Sequence, residues 1–516
     1  MRSIKNTFPT AWVAILTAAT LGCADKPILG PESGSTISAM SGTEQDSADL
    51  RYIILFKSEV ARPSHLVADL VAKHGGVAFH VWETALKGFA VTKLSPASLA
   101  ILRAHPQVRS VEVDELNFPD DVQSLPSSLY GYQYARLWSL DRIDERQDQF
   151  NGQYEFDACG RGVHIYILDS GVRGGHSEFT GRIGTGVTRL MWSSGASPTI
   201  DQLGHGTQVA GAAAGSTFGV AKCAIVHSVR INDNGGAWTS DIIDGLNWVA
   251  ANHQKPAVAN LSYKSSHFST RDALEGVIQS GVVMVKSAGN DSVDAFEDRS
   301  NRAAGLILAG AIDRSDYRSS FSNYGSLVTV FAPGSAIHTS DKDSNSDTTT
   351  VDGTSFAAPI VAGIAALLLE REPTATPSRV REVLINSATS DQVINPGAGS
   401  SNRIVYSRLT GMMTYGPRYV QSNVRKTVTW TALATGTYGT LAYQWEASVN
   451  GGTFTIVSTA QSYSRVVEEG ETSTLQLRIT ATYSGGALLN VVDVVIEPPP
   501  LSANMSETPT TPEFSV

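Results

Sequence analysis

Cysteine, charge and long apolar runs are all scarce in this chain, and each shortage narrows what it does. Three cysteines among 516 residues allow at most one internal pair. Charged residues make up 17%, the formal net charge is -10, the pI is near 5.6 and no dense Lys/Arg block occurs. That leaves little for a phosphate backbone or an anionic membrane to hold and argues against a nucleic-acid partner. The apolar run from Ala11 to Leu21 is shorter than the roughly 20 residues of a membrane span, so no span is expected there.

What the N-terminus does carry is Arg2 and Lys5, that apolar run and then Gly22-Cys23-Ala24, the layout of an export signal over residues 1–23. An extracellular or cell-envelope location is expected. Leu21-Gly22-Cys23 also resembles a bacterial lipoprotein processing site, although Thr20 stands where that pattern prefers an aliphatic residue, so a lipid anchor through Cys23 stays open. With Cys23 removed or acylated, Cys159 and Cys223 remain to pair if the fold brings them together.

A length of 516 residues exceeds one hydrophobic core and suggests two to four domains. Residues 24–49 are rich in Gly, Ser, Thr, Glu and Asp and read as a disordered linker. Residues 50–118 alternate strand and helix patterns in a βαββαβ order compatible with a ferredoxin-like α+β unit. The polar, turn-rich stretch 119–135 reads as a boundary or cleavage region. In 136–411 short continuous apolar strands alternate with helical stretches, which suggests an α/β domain with a parallel sheet and helices on both faces. Val/Thr/Tyr-rich runs in 412–497 fit an all-β immunoglobulin-like sandwich with Trp445 in its core, and 498–516 read as a disordered tail.

Four segments carry candidate chemistry. A serine hydroxyl is a poor nucleophile at neutral pH and needs a base, a group that orients the base and donors for the oxyanion. Asp169 ends the apolar strand Val163 to Leu168, at the edge where open α/β sheets place their sites. His205 lies between glycines in Gly204-His205-Gly206-Thr207 and runs into a small-residue helix. Ser355 sits in Gly353-Thr354-Ser355-Phe356-Ala357-Ala358-Pro359; reading Pro359 in the first helical turn places the serine at a helix start, where the dipole favours negative charge. Asn290, in Ala288-Gly289-Asn290-Asp291, presents an amide donor. Taken singly, Asp169 and Ser355 read as caps, Asn290 as a turn residue and His205 as a structural histidine.

Together, in the order Asp, His, Asn, Ser, these motifs closely resemble the subtilase family, in its proteinase K and aqualysin branch. Trp138 to Asp144, Gly219-Val220-Ala221-Lys222, Val258 to Ser262 and Ser320 to Gly325 extend the likeness over most of 136–409. The resemblance implies a subtilisin-like fold and a secreted serine endopeptidase acting on proteins and peptides. In it Ser355 attacks, His205 is the base, Asp169 orients it, and Asn290 serves the oxyanion hole with the Ser355 backbone N–H. It further implies that residues 50–118 are an inhibitory propeptide, removed during self-maturation, whose end lies in the cleft like a product. Substrate would run along Ser262-Tyr263-Lys264, Ala288-Gly289 and Gly235. No cofactor is implied for catalysis.

This chain departs from the family at several of these positions. Tyr263-Lys264-Ser265 replaces a common Leu-Gly-Gly, and the side chains at the two glycine positions, Lys264 and Ser265, are expected to crowd the cleft; Lys264 either favours an acidic substrate residue or points into water. Gln208 replaces a common histidine and Phe356 a methionine. Thr329 stands at a frequent calcium aspartate, which argues against that site, whereas Asp141, Asp144, Glu145 and Asn151 are either a structural calcium site or a solvated acidic turn. The rival functional reading is a catalytically weak subtilase-fold protein that binds or adheres through its C-terminal β domain.

Overall fold

The computed structural model describes residues 50–498 except 120–136, 147–149, 157, 192–194, 234, 409–410, 416–418, 436–440 and 484–485. The expected export signal with Cys23, the linker 24–49, nearly all of the 119–135 region and the tail from 499 lie outside the described residues.

The N-terminal residues form β1 (Arg51–Phe56), α1 (Pro63–His74), β2 (Val77–Trp82), β3 (Gly88–Thr92), α2 (Pro96–Ala104), β4 (Val108–Val113) and the short β5 (Leu116–Asn117). Ser95 caps α2 by accepting from the N–H of Ser98, with Pro96 at the first helical position. The sheet order is β2-β3-β1-β4, all antiparallel. β1 is buried on both faces because its side chains alternate between two cores. Tyr52, Ile54 and Phe56 pack with Val67, Leu70, Leu99 and Leu102 of the two helices. Ile53 and Leu55, with Trp82 and Ala90, join the core of the large domain instead.

That domain contains α3 (Trp138–Ile143), β6 (His164–Asp169), β7 (Val187–Thr188), α4 (His205–Ala214), β8 (Ile225–Arg230), β9 (Ala237–Trp238), α5 (Thr239–Asn252) and β10 (Ala257–Leu261). It continues through α6 (Phe268–Gln279), β11 (Val283–Ser287), β12 (Ile307–Ile312), β13 (Val330–Pro333), β14 (Ile337–Ser340), β15 (Thr348–Val351), α7 (Thr354–Arg371), α8 (Pro377–Ser387), β16 (Thr389–Ser390) and β17 (Arg403–Ile404). The expected parallel sheet is present in the order β16-β17-β13-β12-β11-β10-β6-β8-β7, antiparallel only at β16.

Both faces of this sheet are covered, which is why its strands read as unbroken apolar runs. Ile165, Ile167, Val258 and Val285 face the layer that contains α4, α7 and α8. Tyr166, Leu168, Ala259 and Met284 face α5 and α6, together with Ile53 and Leu55 from β1. The N-terminal residues also finish α5: Asp114 accepts from the Ser240 N–H (2.9 Å) and Oγ (2.7 Å), and Arg51 holds that carboxylate at 2.7 Å. Gly276 of α6 is a glycine by necessity, since a Cβ there would stand 1.9 Å from the Ala85 carbonyl oxygen.

The disulfide Cys159–Cys223 closes a 64-residue separation. Beyond β17 the regular elements of the described residues are all strands. Gly411–Tyr415, Lys426–Thr435 and Ser462–Val467 make one sheet, and Tyr419–Gln421, Ala442–Val449, Thr455–Ser458, Ser473–Tyr483 and Gly486–Glu497 another. Trp430 and Trp445 are fully buried between them, beside Tyr463.

Candidate active site

Asp169 ends β6, between β8 and β10, where the strand order reverses and the carboxyl ends open a crevice. The chain turns away at once: Gly171 has φ +114°, and a Cβ on it would lie 2.3 Å from the Ile200 oxygen. Asp169 is fully buried; its Oδ1 accepts from the Ser170 N–H and meets His205 Nδ1, each at 2.8 Å. A carboxylate only accepts, so Nδ1 carries the proton and Nε2 of the neutral ring keeps its lone pair.

His205 is the first residue of α4 and is buried at 2% exposure. Its neighbour Gly206 lets this helix start press against the Asp169 turn, because a Cβ there would stand 2.1 Å from the Gly171 oxygen. The residue that ties the two together is Asp201, which sequence reasoning missed. Its Oδ1 accepts from Gly204 N–H (2.7 Å) and Ser170 Oγ (2.9 Å), and its Oδ2 from Thr207 N–H (2.8 Å) and Oγ1 (2.6 Å). Ser170 Oγ in turn accepts from the Gly206 N–H at 3.0 Å. An Asp a few residues ahead of a helix start is the available signal, as it marks a side chain that satisfies first-turn N–H groups.

Ser355 is the second residue of α7 and is fully buried. The placement of Pro359 differs from expectation: it is the sixth helical residue, inside the second turn. Its missing N–H would have bonded to the Ser355 carbonyl one turn back. That carbonyl is instead taken by Ser262 Oγ at 3.0 Å, while Ser355 Oγ lies 3.4 Å from the Ser262 carbonyl oxygen. Proline thus frees the serine's backbone to be clamped to the end of β10. The Phe356 ring packs on the His205 imidazole (centroids 5.7 Å), and the Tyr263 ring meets it edge-on at 6.1 Å.

Asn290 follows β11 and faces the start of α7. Its Oδ1 accepts from Thr354 N–H (3.0 Å) and Oγ1 (2.8 Å), which fixes which end of the amide is the donor. The Nδ2 left over is buried and has no acceptor among the described residues. An orphaned buried donor costs stability, and in a native site it marks a function.

The residues expected to line the cleft sit around this centre. Gly289 N–H donates to Thr354 Oγ1 at 3.2 Å, and Ala288 N–H to the Ala309 oxygen at 3.0 Å. Gly235 has φ +97° with open space about its α-carbon. Tyr263 does not crowd the cleft with its side chain; the ring is fully buried and its hydroxyl accepts from Asn232 Nδ2 at 2.7 Å. Ser265 is buried too, against Thr270 Oγ1 at 2.8 Å. Lys264 directs its ammonium at Asp291.

The Subtilase family profile matches residues 160–407. The extracellular serine proteinase of Thermus sp. (strain Rt41A) is 42% identical over 329 residues, 63% of this chain and 77% of that one. The chain belongs to the subtilase family. It is a subtilisin-like serine protease. The alkaline serine exoprotease A of Vibrio alginolyticus is 38% identical to the subtilase over 63% of its chain and 60% of the exoprotease. The crystal structure of a cold adapted subtilisin-like serine proteinase superposes with a TM-score of 0.50 at 39% identity, covering 52% of the subtilase and 97% of that chain.

Among the subtilase's described residues no three His, Cys, Asp or Glu side chains are gathered as a metal site. Asp141 accepts from the N–H groups of Asn151 (3.2 Å) and Gly152 (2.9 Å), Asp144 Oδ2 from Glu155 N–H (2.5 Å), and Glu145 from the Asn151 amide (2.6 Å). These residues serve one another and the turn rather than converging on one point, so no step is derived through calcium. Among the described residues Asp144 Oδ1 has no donor, and burial, with Glu145 and Asp141 nearby, pushes this carboxyl up to about 7.

Proposed function

We propose that this protease cuts peptide bonds with Ser355 as nucleophile, His205 as general base and Asp169 as the group that holds the imidazole. Ser355 Oγ attacks the scissile carbonyl and gives its proton to His205 Nε2, which returns it to the leaving amine. Asp169 Oδ1 keeps Nδ1 protonated and stabilises the imidazolium as it forms. Asn290 Nδ2 and the Ser355 backbone N–H receive the oxyanion. The observation that carries this reading is the Asn290 amide: its acceptor end is tied to Thr354, directly before Ser355, and its donor end is buried without an acceptor.

Residues 50–118 are proposed as an inhibitory propeptide of an exported, self-maturing enzyme, with residues 412–497 as an immunoglobulin-like accessory domain. Support for the first comes from the cleft itself. β5 pairs antiparallel with β9, and Pro119 bridges to Tyr263 on the opposite edge, so this segment lies where a peptide would. The Thermus relative, named an extracellular proteinase, supports export.

The test is intact mass and casein digestion by the exported wild-type chain beside Ser355→Ala. Wild type is expected to lose the residues up to and including 50–118 and to digest casein, while Ser355→Ala stays uncut and inactive. A Ser355→Ala chain that matures and digests casein would refute the assignment.

A further inference from the structure

Two segments of the proposed cleft are tied together from inside the protein by a buried cation. One segment follows β10: the Lys264 N–H faces the Phe118 oxygen at 3.4 Å, and the next N–H along, that of Ser265, turns inward to Asp298 Oδ2 at 3.0 Å. The other runs from Ser287, at the end of β11, to Asn290. Lys286, the residue directly before it, is fully buried. Its three ammonium hydrogens meet three oxygens: Asn301 Oδ1 at 2.8 Å, Asp298 Oδ2 at 3.3 Å and the Ser287 carbonyl at 3.4 Å.

Both partners of the lysine pass the link on. Asp298 Oδ2 takes Lys286 from one segment and the Ser265 N–H from the other, while its Oδ1 is held by Ser300 N–H and Oγ at 2.8 Å each. Asn301 Nδ2 donates to the Ala295 oxygen (2.9 Å) and to the Ala288 oxygen (3.4 Å), two residues ahead of Asn290. On its opposite side the same loop is fixed to the start of α7, because Gly289 N–H and Asn290 Oδ1 both bond to Thr354. Thr354 therefore sets the loop against the helix of Ser355, and Lys286 sets it against the other wall of the cleft.

A buried ion pair returns little more than its desolvation costs, and a well-packed apolar side chain serves stability as well. What an apolar side chain cannot do is hold a carboxylate, an amide and a peptide carbonyl at hydrogen-bond distance. Charge-assisted bonds are short and directional, so they fix a spacing. Spacing matters here, since a reacting group misplaced by about 1 Å can cost on the order of 100-fold in rate.

We propose that Lys286, through Asp298 and Asn301, is a positioning residue for the oxyanion donor. It fixes how far apart the two walls stand, and with that where Asn290 Nδ2 lies relative to a carbonyl held between them. This rests on the protease reading above and adds to it residues that act through Asn290.

The experiment compares kcat on one fluorogenic peptide. Lys286→Met alone strands the Asp298 carboxylate and is expected to fold poorly. Two other variants avoid this: Lys286→Met with Asp298→Asn, which removes both charges, and Asn301→Ala, which keeps the ion pair and cuts the link to Ala288. Each is made in the full-length chain with and without Asn290→Ala, is cut at the junction by an added and then removed protease where self-maturation fails, and is checked by thermal melt for folding. In both variants kcat is expected to fall about tenfold with Asn290 present and less than about twofold in the Asn290→Ala background, because a residue that works through the amide has nothing to position once the amide is gone. A purely structural network lowers kcat equally in the two backgrounds. That result, full activity in both variants, or loss of the fold in both, overturns the positioning role. Full activity of Asn290→Ala by itself instead removes the oxyanion assignment, and absence of casein digestion by the wild type removes the protease reading beneath it.

Discussion

Lys264 Nζ lies 2.6 Å from Asp291 Oδ2, so a salt bridge joins the segment that flanks Pro119 and Phe118 to the residue directly after Asn290. It spans the two walls of the cleft. Both side chains are about half exposed, 48% and 47%, which makes the pair weak as a source of stability and sensitive to salt. Its effect is expected in specificity. Lys264→Gly should raise kcat/KM a few-fold for peptides with bulky aromatic residues, and molar salt should reproduce part of that gain in wild type and none in the variant. Unchanged relative rates over an aromatic and a small-residue peptide would show that the bridge does not restrict entry.

Asn290→Ala removes the buried Nδ2 that has no acceptor in the resting enzyme. A donor used only in the transition state lowers kcat and leaves KM nearly alone; the expected loss is about 100- to 1,000-fold in kcat. Steady-state kinetics on one fluorogenic peptide decides it. A rise in KM with kcat intact would make Asn290 a binding residue instead.

Pro359→Ala restores an N–H inside α7 and gives the Ser355 carbonyl a helical partner in place of Ser262 Oγ. Removing an interior proline is expected to leave the melting temperature equal or higher. Activity is expected to fall, because the clamp that fixes the serine's backbone to the end of β10 is shared with a competitor. Thermal melts and kcat measured together separate the two effects, and a variant with full activity would show that the clamp is dispensable.

His267 stands where the N-terminal residues meet α6. Its Nε2 is 3.0 Å from Glu115, its Nδ1 3.6 Å from Glu112, and Glu112 also accepts from Ser269 Oγ at 2.7 Å. Arg109 pairs with Asp272 beside it. Burial lowers the imidazole's pKa, but the hydrogen bonds and charges of Glu112 and Glu115 outweigh it and leave His267 above its ordinary value. In the separated parts His267 titrates near its ordinary value of about 6.5, so association takes up protons. The attraction is complete below that value and is lost as pH rises through the raised one. Dissociation of residues 50–118 from Ser355→Ala enzyme, cut at the junction by an added protease, is expected to accelerate above neutrality. His267→Gln should flatten that dependence, and an unchanged pH profile in the variant would exclude the histidine.

How much of this was legible depended on how local each feature is. The strands of the parallel sheet could be read because both faces are buried, so Ile165 to Leu168 shows no polar interruption. Asp169, His205 and Asn290 each sit at a strand end or helix start whose neighbours are small, and the first two meet at 2.8 Å. The start of α7 was legible only approximately. Its first residue is set by Thr354 bonding to Asn290, a contact across 64 positions, and that displaced Pro359 from the first turn to the second. Asp201 was legible only as an Asp ahead of a helix start; its tie to Ser170, 31 residues away, was not. Lys264 reads either as a charge for an acidic substrate residue or as one pointing into water, and neither reading foresees Asp291 beside it.

The ring packed on the His205 imidazole belongs to Phe356, at the position where the family commonly carries methionine. A thioether there is converted by peroxide into a polar sulfoxide that disturbs whatever it packs against. A phenyl ring offers peroxide no comparable atom. The protein therefore combines a phenyl ring against the His205 imidazole and a Cys159–Cys223 crosslink that persists where thiols do not. Both features withstand oxidation that a thioether or a free thiol would not.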